Sequence, residues 1–256
     1  MSSPDIAVVT NIRAAHLTGL KNIHTIKKEK LSIAKGLKPN GILITNPASK
    51  IKPKNVTCND FETHFTLEDT KITVPLPGYG NIENAISAWA VCKECNIKID
   101  DFAKALITLP KIPMRLEVLK TNSLTIINDC YNANPASMKN ALDILADTTK
   151  SNRKVFICGD MAELGDKTEE LHKELGTSIL QADVNLLITI GKHAKIIADA
   201  AKSSANVNLQ IQSFDDTVSA CNNLHKLTKV NDIILVKGSR VAKFELIVEK
   251  LKQLFN

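Results

Sequence analysis

The chain has 256 residues, enough for one large domain or two modest ones, and its composition is that of a globular protein. Aromatic residues make up only 4% of the sequence, which argues against a surface that stacks nucleic-acid bases. The net charge of +6 comes from lysines scattered along the chain, so we expect a solvated basic surface and no nucleic-acid partner.

Alternating apolar and polar residues predict strands and amphipathic helices in the first part of the chain. In "PGYGNIENAISAWAVC" a turn opens a helix, and the apolar residues recur at helical spacing. A later helix begins near Asp100 or Asp101, and one of the two is expected to cap it. The predicted elements are strands at 6–10, 41–45, 61–67 and 71–76, and helices near 23–37, within 77–92 and at 100–109.

Two prolines in "PKIPMR", residues 110–115, mark the expected domain boundary, which gives predicted domains of 1–112 and 113–256. Beyond the boundary, apolar runs alternate with amphipathic stretches. This alternation predicts an α/β fold with a mostly parallel, doubly wound sheet covered by helices. The first of these helices is expected to open at Pro135 with Asn134 as its cap. The predicted strands are "LTIIN", "KVFIC", "NLLITI" and "DIILV".

Three of these predicted strands end in unusual residues. "LTIIN" is followed by Asp129 and an amide-rich turn, "KVFIC" by "GDMAELG", and "DIILV" by "KGSR". Parallel strands bring their carboxyl ends to one edge of a sheet, where open α/β sheets bind ligands. Each strand end alone is more often an ordinary polar turn, whereas the three together favour a site.

The residue types at these strand ends suggest a ligand that carries both signs of charge. Asp129 can accept hydrogen bonds from ribose hydroxyls or from a metal-bound water. We expect its carboxylate to be exposed. The alternative is that Asp129 satisfies nearby backbone amides. The cationic strand end can bind a carboxylate and the acidic one an ammonium group, which suits an amino acid or peptide. The candidate substrate-binding residues are Tyr131, Asn132, Asn134, Asp160, Glu163, Lys237, Gly238, Ser239 and Arg240.

The cysteines and the lack of long apolar segments indicate the compartment. Cys92 and Cys95 form a lone C-x-x-C within a predicted helix, so we expect no zinc site. Cys130 and Cys158 lie beside apolar runs and are expected to be reduced and buried. No apolar run approaches membrane-spanning length, and the first residues lack a targeting pattern. We therefore expect a cytoplasmic protein with no membrane partner.

Several motifs, taken in order, resemble those of the Mur ligases, the ATP-dependent amide-bond ligases of peptidoglycan precursor synthesis. The similarity extends over essentially the whole chain from Pro4, and the order of "YNANP", "GDMAELG" and "KGSR" is its most specific part. The matching segments are "TNIRAAHL", "PLPGYGNIENA", "MRLEV", "NDCYNANPASM", "GDMAELG", the "H…LG" of His172 to Gly176, and "LVKGSR" followed by Glu245.

The resemblance implies a partial central ATPase domain followed by a Rossmann-like C-terminal domain. Residues 1–112 would be the C-terminal half of the central domain without its phosphate loop, so the chain would be truncated at its N terminus. The implied cofactors are ATP and Mg²⁺. The implied reaction joins D-alanyl-D-alanine to UDP-N-acetylmuramoyl-tripeptide through an acyl phosphate, which makes these two molecules the expected substrates.

The resemblance also implies roles for polar residues that look ordinary by themselves. His16 would be a magnesium ligand, and Lys30, if carbamylated, would help to hold a second magnesium ion. Arg115 would approach the terminal phosphate, and the expected catalytic residues are Lys30, Arg115 and Asp129. The implied nucleotide-binding residues are Asn46, Asn81, Asn84, Arg115 and Asp129.

The sequence departs from the family pattern at a few positions. Gly80 stands where the family has histidine, and Met114 stands where it has the glycine before Arg115. No G-x-x-x-x-G-K-[ST] phosphate loop occurs in the sequence. Two hypotheses follow. The chain is either the C-terminal part of a ligase that works with a separate polypeptide carrying the other half, or a non-catalytic binding module.

Overall fold

The structure, a computed structural model, describes residues 3–13, 17–20, 22–59, 61–110, 112–148, 152–204 and 208–256. It divides into two compact units, Met1–Pro110 and Lys111–Asn256. The domain boundary after residue 112 stays a prediction. Each unit is described below by itself.

The first unit contains two small sheets. Strands β1 and β2 pair in parallel, and β3, β4 and β5 form an antiparallel sheet. The core lies between the antiparallel sheet and helices α4 and α5, where the Trp89 and Phe102 ring centroids are 5.3 Å apart. The elements are β1 Ile6–Val9, α1 Leu17–Leu20, α2 Ile23–Leu31, a 3₁₀ turn Ser32–Gly36, β2 Ile42–Thr45, α3 Pro47–Lys50, β3 Lys54–Asn59, β4 Glu62–Leu67, β5 Thr70–Val74, α4 Tyr79–Glu94 and α5 Ile99–Ile107.

The strands and helices predicted for this part are present, but the short helices α1 and α3 and the strand β3 were not predicted, and one predicted helix cap is wrong. Strand β3 was not expected, because its sequence "KNVTCN" is polar and its pairing is irregular between Lys54 and Thr57. The prediction that Asp100 or Asp101 caps α5 is wrong. The helix begins one residue earlier, so both aspartates lie in its first turn, where the helix dipole stabilises negative charge.

The second unit contains a six-stranded sheet in the order β10-β9-β8-β11-β7-β6. Strands β7 to β11 are parallel, and β6 runs antiparallel to β7 at one edge. The elements are β6 Glu117–Lys120, β7 Thr125–Asn128, α6 Pro135–Asp147, β8 Lys154–Gly159, a 3₁₀ turn Gly165–Lys167, α7 Thr168–Ser178, a 3₁₀ turn Ile179–Ala182, β9 Leu186–Ile190, α8 Ala194–Ser204, β10 Gln210–Phe214, α9 Thr217–Leu227, β11 Ile233–Lys237, a 3₁₀ turn Arg240–Ala242 and α10 Glu245–Phe255.

Burial confirms the α/β fold predicted for this part. Every residue of β8, β9 and β11 is buried, as expected for a parallel sheet that helices cover on both faces. Asn134 caps α6 through a capping box with Ser137, and Pro135 occupies the first helical turn, as predicted. Among the described helices, none has the length and apolar character needed to cross a bilayer.

Candidate active site

The three unusual strand ends of the second unit lie next to one another. Strand β11 pairs in parallel with β7 on one side and with β8 on the other. Lys237 is in register with Cys158, and the Asp129 amide extends the ladder to the Val236 carbonyl oxygen at 2.9 Å. The segments after β7, β8 and β11 therefore leave the same edge of the sheet. The prediction that these strand ends meet at one edge is confirmed.

The central feature of this edge is a buried ion pair between Asp129 and Lys237. Lys237 is only 1% exposed, and its Nζ donates to Asp129 Oδ2. The other carboxylate oxygen, Oδ1, accepts from the Leu116 amide at 3.1 Å. The expectation that the Asp129 charge is exposed is therefore wrong. The pairing of β7 with β11 brings the two side chains together beneath the loop that follows β7.

The environment of Asp129 changes the pKa of its carboxyl group in opposing ways. Burial raises this pKa and is the largest effect, while the Lys237 charge and the hydrogen bond from Lys237 lower it. The Leu116 amide and the charge of Arg115 also lower it. The net direction is upward, so the carboxylate depends on these partners to remain ionised.

The Lys237 ammonium group is surrounded by acceptors of its own chain. Besides Asp129 Oδ2, its Nζ faces the Asn132 carbonyl oxygen at 3.0 Å and the Asp129 carbonyl oxygen at 3.5 Å. An ammonium group has three donors, and three acceptors lie within 3.5 Å of this one. The Lys237 ammonium group is thus buried and bonded within its own chain, and its contact with a substrate carboxylate stays a prediction.

The neighbouring glycine and serine of "KGSR" are also interior residues. A Cβ atom added to Gly238 would lie 2.8 Å from the Phe244 ring, and one added to Gly159 would lie 2.6 Å from the same ring. Ser239 is buried as well. Phe244 thus requires glycine at both strand ends, which gives Gly238 a packing role. Within this motif, Arg240 exposes its charged side chain, where it pairs with Glu245 Oε1 at 3.3 Å.

Arg115 and Tyr131 form a stacked pair at the surface of the second unit. The Arg115 guanidinium carbon lies 4.0 Å from the centre of the Tyr131 ring. Arg115 sits in a turn whose flanking residues both have left-handed backbones, with φ of 62° at Met114 and 50° at Leu116. Glycine adopts this conformation without strain, whereas a residue with a side chain, such as Met114, does so at a cost.

Glu117, Asn128 and Cys130 form a polar network that the sequence did not reveal. Glu117 Oε2 accepts from the Met114 amide at 3.1 Å and from Asn128 Nδ2 at 2.9 Å. The Cys130 thiol donates to Asn128 Oδ1 at 2.9 Å, and burial raises its pKa to about 11. Cys130 and Cys158 are free and buried, as predicted. The sequence signal for this network is Asn128, a polar residue that ends the apolar run of β7.

The acidic strand end after β8 is bonded to its own scaffold. Asp160 Oδ1 accepts from the amide of Ala194, the first residue of α8, at 2.7 Å. Glu163 is exposed and has a left-handed backbone with φ of 62°. Asp160 therefore anchors a helix start with one of its oxygens. The predicted contact of these two carboxylates with an ammonium group stays a prediction.

His172 holds the "GDMAELG" loop against α7, a role that sequence reasoning did not assign. Its ring is fully buried, and Nε2 accepts from the Met161 amide at 3.0 Å. Nδ1 lies 2.6 Å from the Thr168 carbonyl oxygen, which can only accept, so Nδ1 carries the proton. Burial lowers the pKa of His172, and the ring is neutral with one fixed tautomer.

In the first unit, Lys30 lines a cleft of about 390 Å³ beside the end of β1. Its Nζ donates to the Asn11 carbonyl oxygen at 2.9 Å. Among the described residues, no group of three or more His, Cys, Asp and Glu side chains could hold a metal ion. His16, the predicted magnesium ligand, lies outside the described residues. The cleft is lined by Val8, Val9, Thr10, Asn11, Glu29, Lys30, Ser32 and Ile33.

The three asparagines predicted to bind the nucleotide are in the first unit. Asn81 Nδ2 donates to the Pro77 carbonyl oxygen at 2.7 Å, which fixes the start of α4. Asn84 lies one turn later and is exposed, with its amide 3.5 Å from Asn81 Oδ1. Asn46 is exposed after β2 and has a left-handed backbone with φ of 45°. Their proposed contacts with a nucleotide remain predictions.

Comparison with known proteins identifies the family. The model of the Mur ligase middle domain matches residues 1–54, and that of the Mur ligase, glutamate ligase domain matches residues 114–240. The chain belongs to the Mur ligase family. The family expected from the motifs is thereby confirmed.

Curated relatives and solved structures extend this similarity. The chain is 33% identical to a UDP-N-acetylmuramoyl-tripeptide–D-alanyl-D-alanine ligase of Bacillus subtilis, over 98% of this chain and 60% of the relative. It is 29% identical to the protein of the same name from Escherichia coli, over 99% of this chain and 61% of the relative. The chain thus spans about 60% of the length of these Mur ligase relatives.

Among solved structures, MurF from Acinetobacter baumannii matches with a TM-score of 0.86 and 23% identity, over 98% of this chain and 60% of that chain. A MurF ligase from Thermotoga maritima in complex with ADP matches with a TM-score of 0.81 and 24% identity, over 98% and 62%. At these identities the structures show a shared fold.

Proposed function

We propose that this Mur ligase chain contributes to an ATP-dependent carboxylate–amine ligase that joins D-alanyl-D-alanine to UDP-N-acetylmuramoyl-tripeptide. The observation that carries the proposal is the similarity along 98% or more of the chain to ligases of that name. The proposed place of action is the cytoplasm, where peptidoglycan precursors are made.

The chemistry of amide formation gives the strand-end residues their proposed roles. A carboxylate is a poor acyl donor until one of its oxygens leaves as phosphate, so ATP first forms an acyl phosphate. The dipeptide amine then attacks the acyl carbon, and phosphate departs. The exposed guanidinium groups of Arg115 and Arg240 suit a phosphoryl group and the dipeptide carboxylate, respectively. The exposed amide of Asn84 suits the edge of adenine.

Magnesium belongs to the proposed cofactor set, but the described residues alone do not fit it. They contain no cluster of three ligating side chains, and an unmodified Lys30 ammonium would repel a cation. Carbamylation would turn Lys30 into an anionic oxygen ligand. We therefore assign no step of the reaction to a metal held by this chain.

The test is a coupled assay of ADP release with UDP-N-acetylmuramoyl-tripeptide, D-alanyl-D-alanine and ATP. We expect no turnover by this chain alone, because its sequence has no phosphate loop to align the γ-phosphate. Adding a polypeptide that carries the phosphate-loop half of a Mur ligase should give dipeptide-dependent ADP release. Arg115→Ala should abolish that release, whereas Arg153→Ala, at the opposite edge of the sheet, should not.

A second candidate is a binding module that holds a ligand and transfers nothing. Calorimetric titration separates the two candidates. Binding of D-alanyl-D-alanine with no turnover in the complemented mixture would support the module. Dipeptide-dependent turnover would exclude it.

A further inference from the structure

The pairing of Lys237 with Asp129 points to a function for Lys237 that differs from substrate binding. We propose that Lys237 is a positioning residue: through Asp129, it fixes the turn that presents Arg115 and the Arg115–Tyr131 stack. The importance of this positioning for catalysis rests on the proposed function. The positioning itself is a property of the folded chain.

The first step of the argument is the path of contacts from Lys237 to Arg115. Lys237 Nζ donates to Asp129 Oδ2, and the other carboxylate oxygen, Oδ1, accepts from the Leu116 amide at 3.1 Å. Leu116 is the next residue after Arg115. The same ammonium group also binds the Asn132 carbonyl oxygen at 3.0 Å, next to Tyr131. One buried cation therefore anchors both partners of the stack through their chain neighbours.

The second step is the strain in the turn that Asp129 holds. Met114 and Leu116 both have positive φ, which costs a residue with a side chain more than it costs glycine. Such a backbone conformation persists only where several contacts with the surrounding structure fix it. Three hydrogen bonds do so here: Met114 N to Glu117 Oε2 at 3.1 Å, Leu116 N to Asp129 Oδ1 at 3.1 Å, and Tyr131 N to the Met114 carbonyl oxygen at 3.1 Å.

The third step is that Lys237 is placed to orient a group rather than to bind a ligand. Its side chain is buried, while Tyr131 and Arg115 on the far side of the loop are exposed. A lysine that served only to fill space in the sheet would be costly, because its charge must be removed from water. The arrangement fits a residue retained to fix the carboxylate and, with it, the Arg115 turn.

The experiment compares Lys237→Met with Lys154→Met by NMR. Lys154 is a matched control, because it is 2% exposed in the same sheet and its Nζ donates to a carbonyl oxygen, that of Ala146, at 2.7 Å. Lys154 is the first residue of β8, and Lys237 is the last residue of the parallel strand β11. The two lysines therefore lie at opposite ends of the paired strands. The chain has four arginines, so the side-chain spectrum of ¹³C-arginine is simple, and Arg115→Lys assigns the Arg115 signals.

We expect the Tyr131 ring to shift the Arg115 side-chain signals upfield in the wild-type protein and in Lys154→Met. In Lys237→Met this shift should be lost while circular dichroism shows a folded chain. Trypsin should then cleave after Arg115 about tenfold faster, relative to cleavage after Lys226 in α9, since loss of a hydrogen bond to a charged group favours local opening. An unchanged Arg115 signal in folded Lys237→Met would overturn the proposal.

A second variant covers the case in which Lys237→Met does not fold. Asp129→Asn combined with Lys237→Met removes both buried charges, so neither is left unpaired. The Arg115 shift should be lost in this double variant too, and its retention would also overturn the proposal. Neither readout depends on catalysis. A chain that shows this behaviour but no complemented ligase activity would contradict the proposed function and leave the positioning role standing.

Discussion

Removal of the Asp129 carboxylate should destabilise the second unit. Asp129→Ala would leave the Lys237 ammonium group buried with no countercharge and would remove the acceptor of the Leu116 amide. Breaking a buried ion pair by removing one partner costs about 3–5 kcal/mol, so we expect a loss of that order in the free energy of unfolding. Urea denaturation monitored by circular dichroism measures it.

The matched control for this prediction is Asp215→Ala. Asp215 also pairs with a lysine, Lys195, but both side chains are well exposed. Exposed ion pairs contribute less than about 1 kcal/mol, so this variant should unfold near the wild-type midpoint. Equal losses in the two variants would show that the Asp129 pair is not structurally important.

His172 should make stability depend on pH below neutrality. Its pKa in the folded protein lies below the ordinary value, so between about pH 6.5 and the folded-state pKa the unfolded chain binds a proton that the folded chain does not. The contribution of neutral His172 to the free energy of unfolding is therefore complete above about pH 6.5. It decreases as the pH is lowered through the folded-state pKa. Unfolding midpoints between pH 7.5 and 5 should show this decrease.

The variants that isolate this effect are His172→Gln and His225→Gln. The first should lower stability at neutral pH, because it removes the ring that bridges Met161 and Thr168, and it should flatten the pH dependence. His225 is exposed on α9, so its replacement should leave the slope unchanged. A wild-type slope retained in His172→Gln would mean that another group causes it.

Residue roles at the site were only partly predictable from sequence. Asn134 was recognised as a cap because that role depends on neighbours in sequence. The burial of Lys237 is not predictable in this way, because a lysine after a strand is usually solvated and its partner Asp129 is far away in the chain. Pairwise contacts of this kind depend on sheet order, which local patterns do not specify.

At the scale of elements, the packing of α7 against α8 depends on Gly176. A Cβ atom at this position would lie 2.5 Å from the Ile197 carbonyl oxygen and 2.6 Å from the Ala200 Cβ atom. Alanine favours helix by about 1 kcal/mol over glycine, but overpacking costs about 1–3 kcal/mol, and backbone atoms cannot move aside easily. We therefore expect Gly176→Ala to lower the thermal midpoint of the second unit.

Gly19→Ala is the control, because Gly19 is also in a helix and an added Cβ atom there meets nothing within 4 Å. This variant should keep or slightly raise the midpoint of its unit. If Gly176→Ala were equally harmless, α7 and α8 would be less closely packed than the structure indicates.

In the six-stranded sheet, the strands that sequence patterns predict are the interior ones, and the two that they miss, β6 and β10, are at its edges. The central strands β8, β9 and β11 are continuous apolar runs because both faces are covered. Strand β10 reads "QIQSF", and β6 is a four-residue strand at the other edge. An edge strand is half solvated, so its polar residues resemble those of a loop.

At the scale of the molecule, the two units differ in how completely they bury their sheets. The second unit has one sheet whose central strands are buried throughout. The first has a separate two-stranded parallel sheet in which Ile42 is 39% exposed and Leu43 is 36% exposed. Isolated two-stranded sheets are marginal, and parallel ones are normally covered on both faces. The two units should therefore have different stabilities.

We accordingly expect residues 112–256 to fold alone and to unfold in one cooperative transition in urea. The chain has a single tryptophan, Trp89, which is buried in the first unit, so its fluorescence reports that unit only. In the whole chain, the fluorescence and circular dichroism transitions should not coincide. The later part of the dichroism transition should match the midpoint of the 112–256 fragment.

A shorter fragment, 124–256, provides the comparison that makes this test specific. It lacks β6 and the Leu116 amide that binds Asp129 Oδ1, so β7 becomes an edge strand and the buried ion pair loses a supporting hydrogen bond. We expect it to unfold at lower urea concentration than 112–256, with a similar steepness if the rest of the sheet remains one cooperative unit. A gradual transition for 112–256 itself, with a sharp one for the whole chain, would show that the second unit depends on the first for its folding.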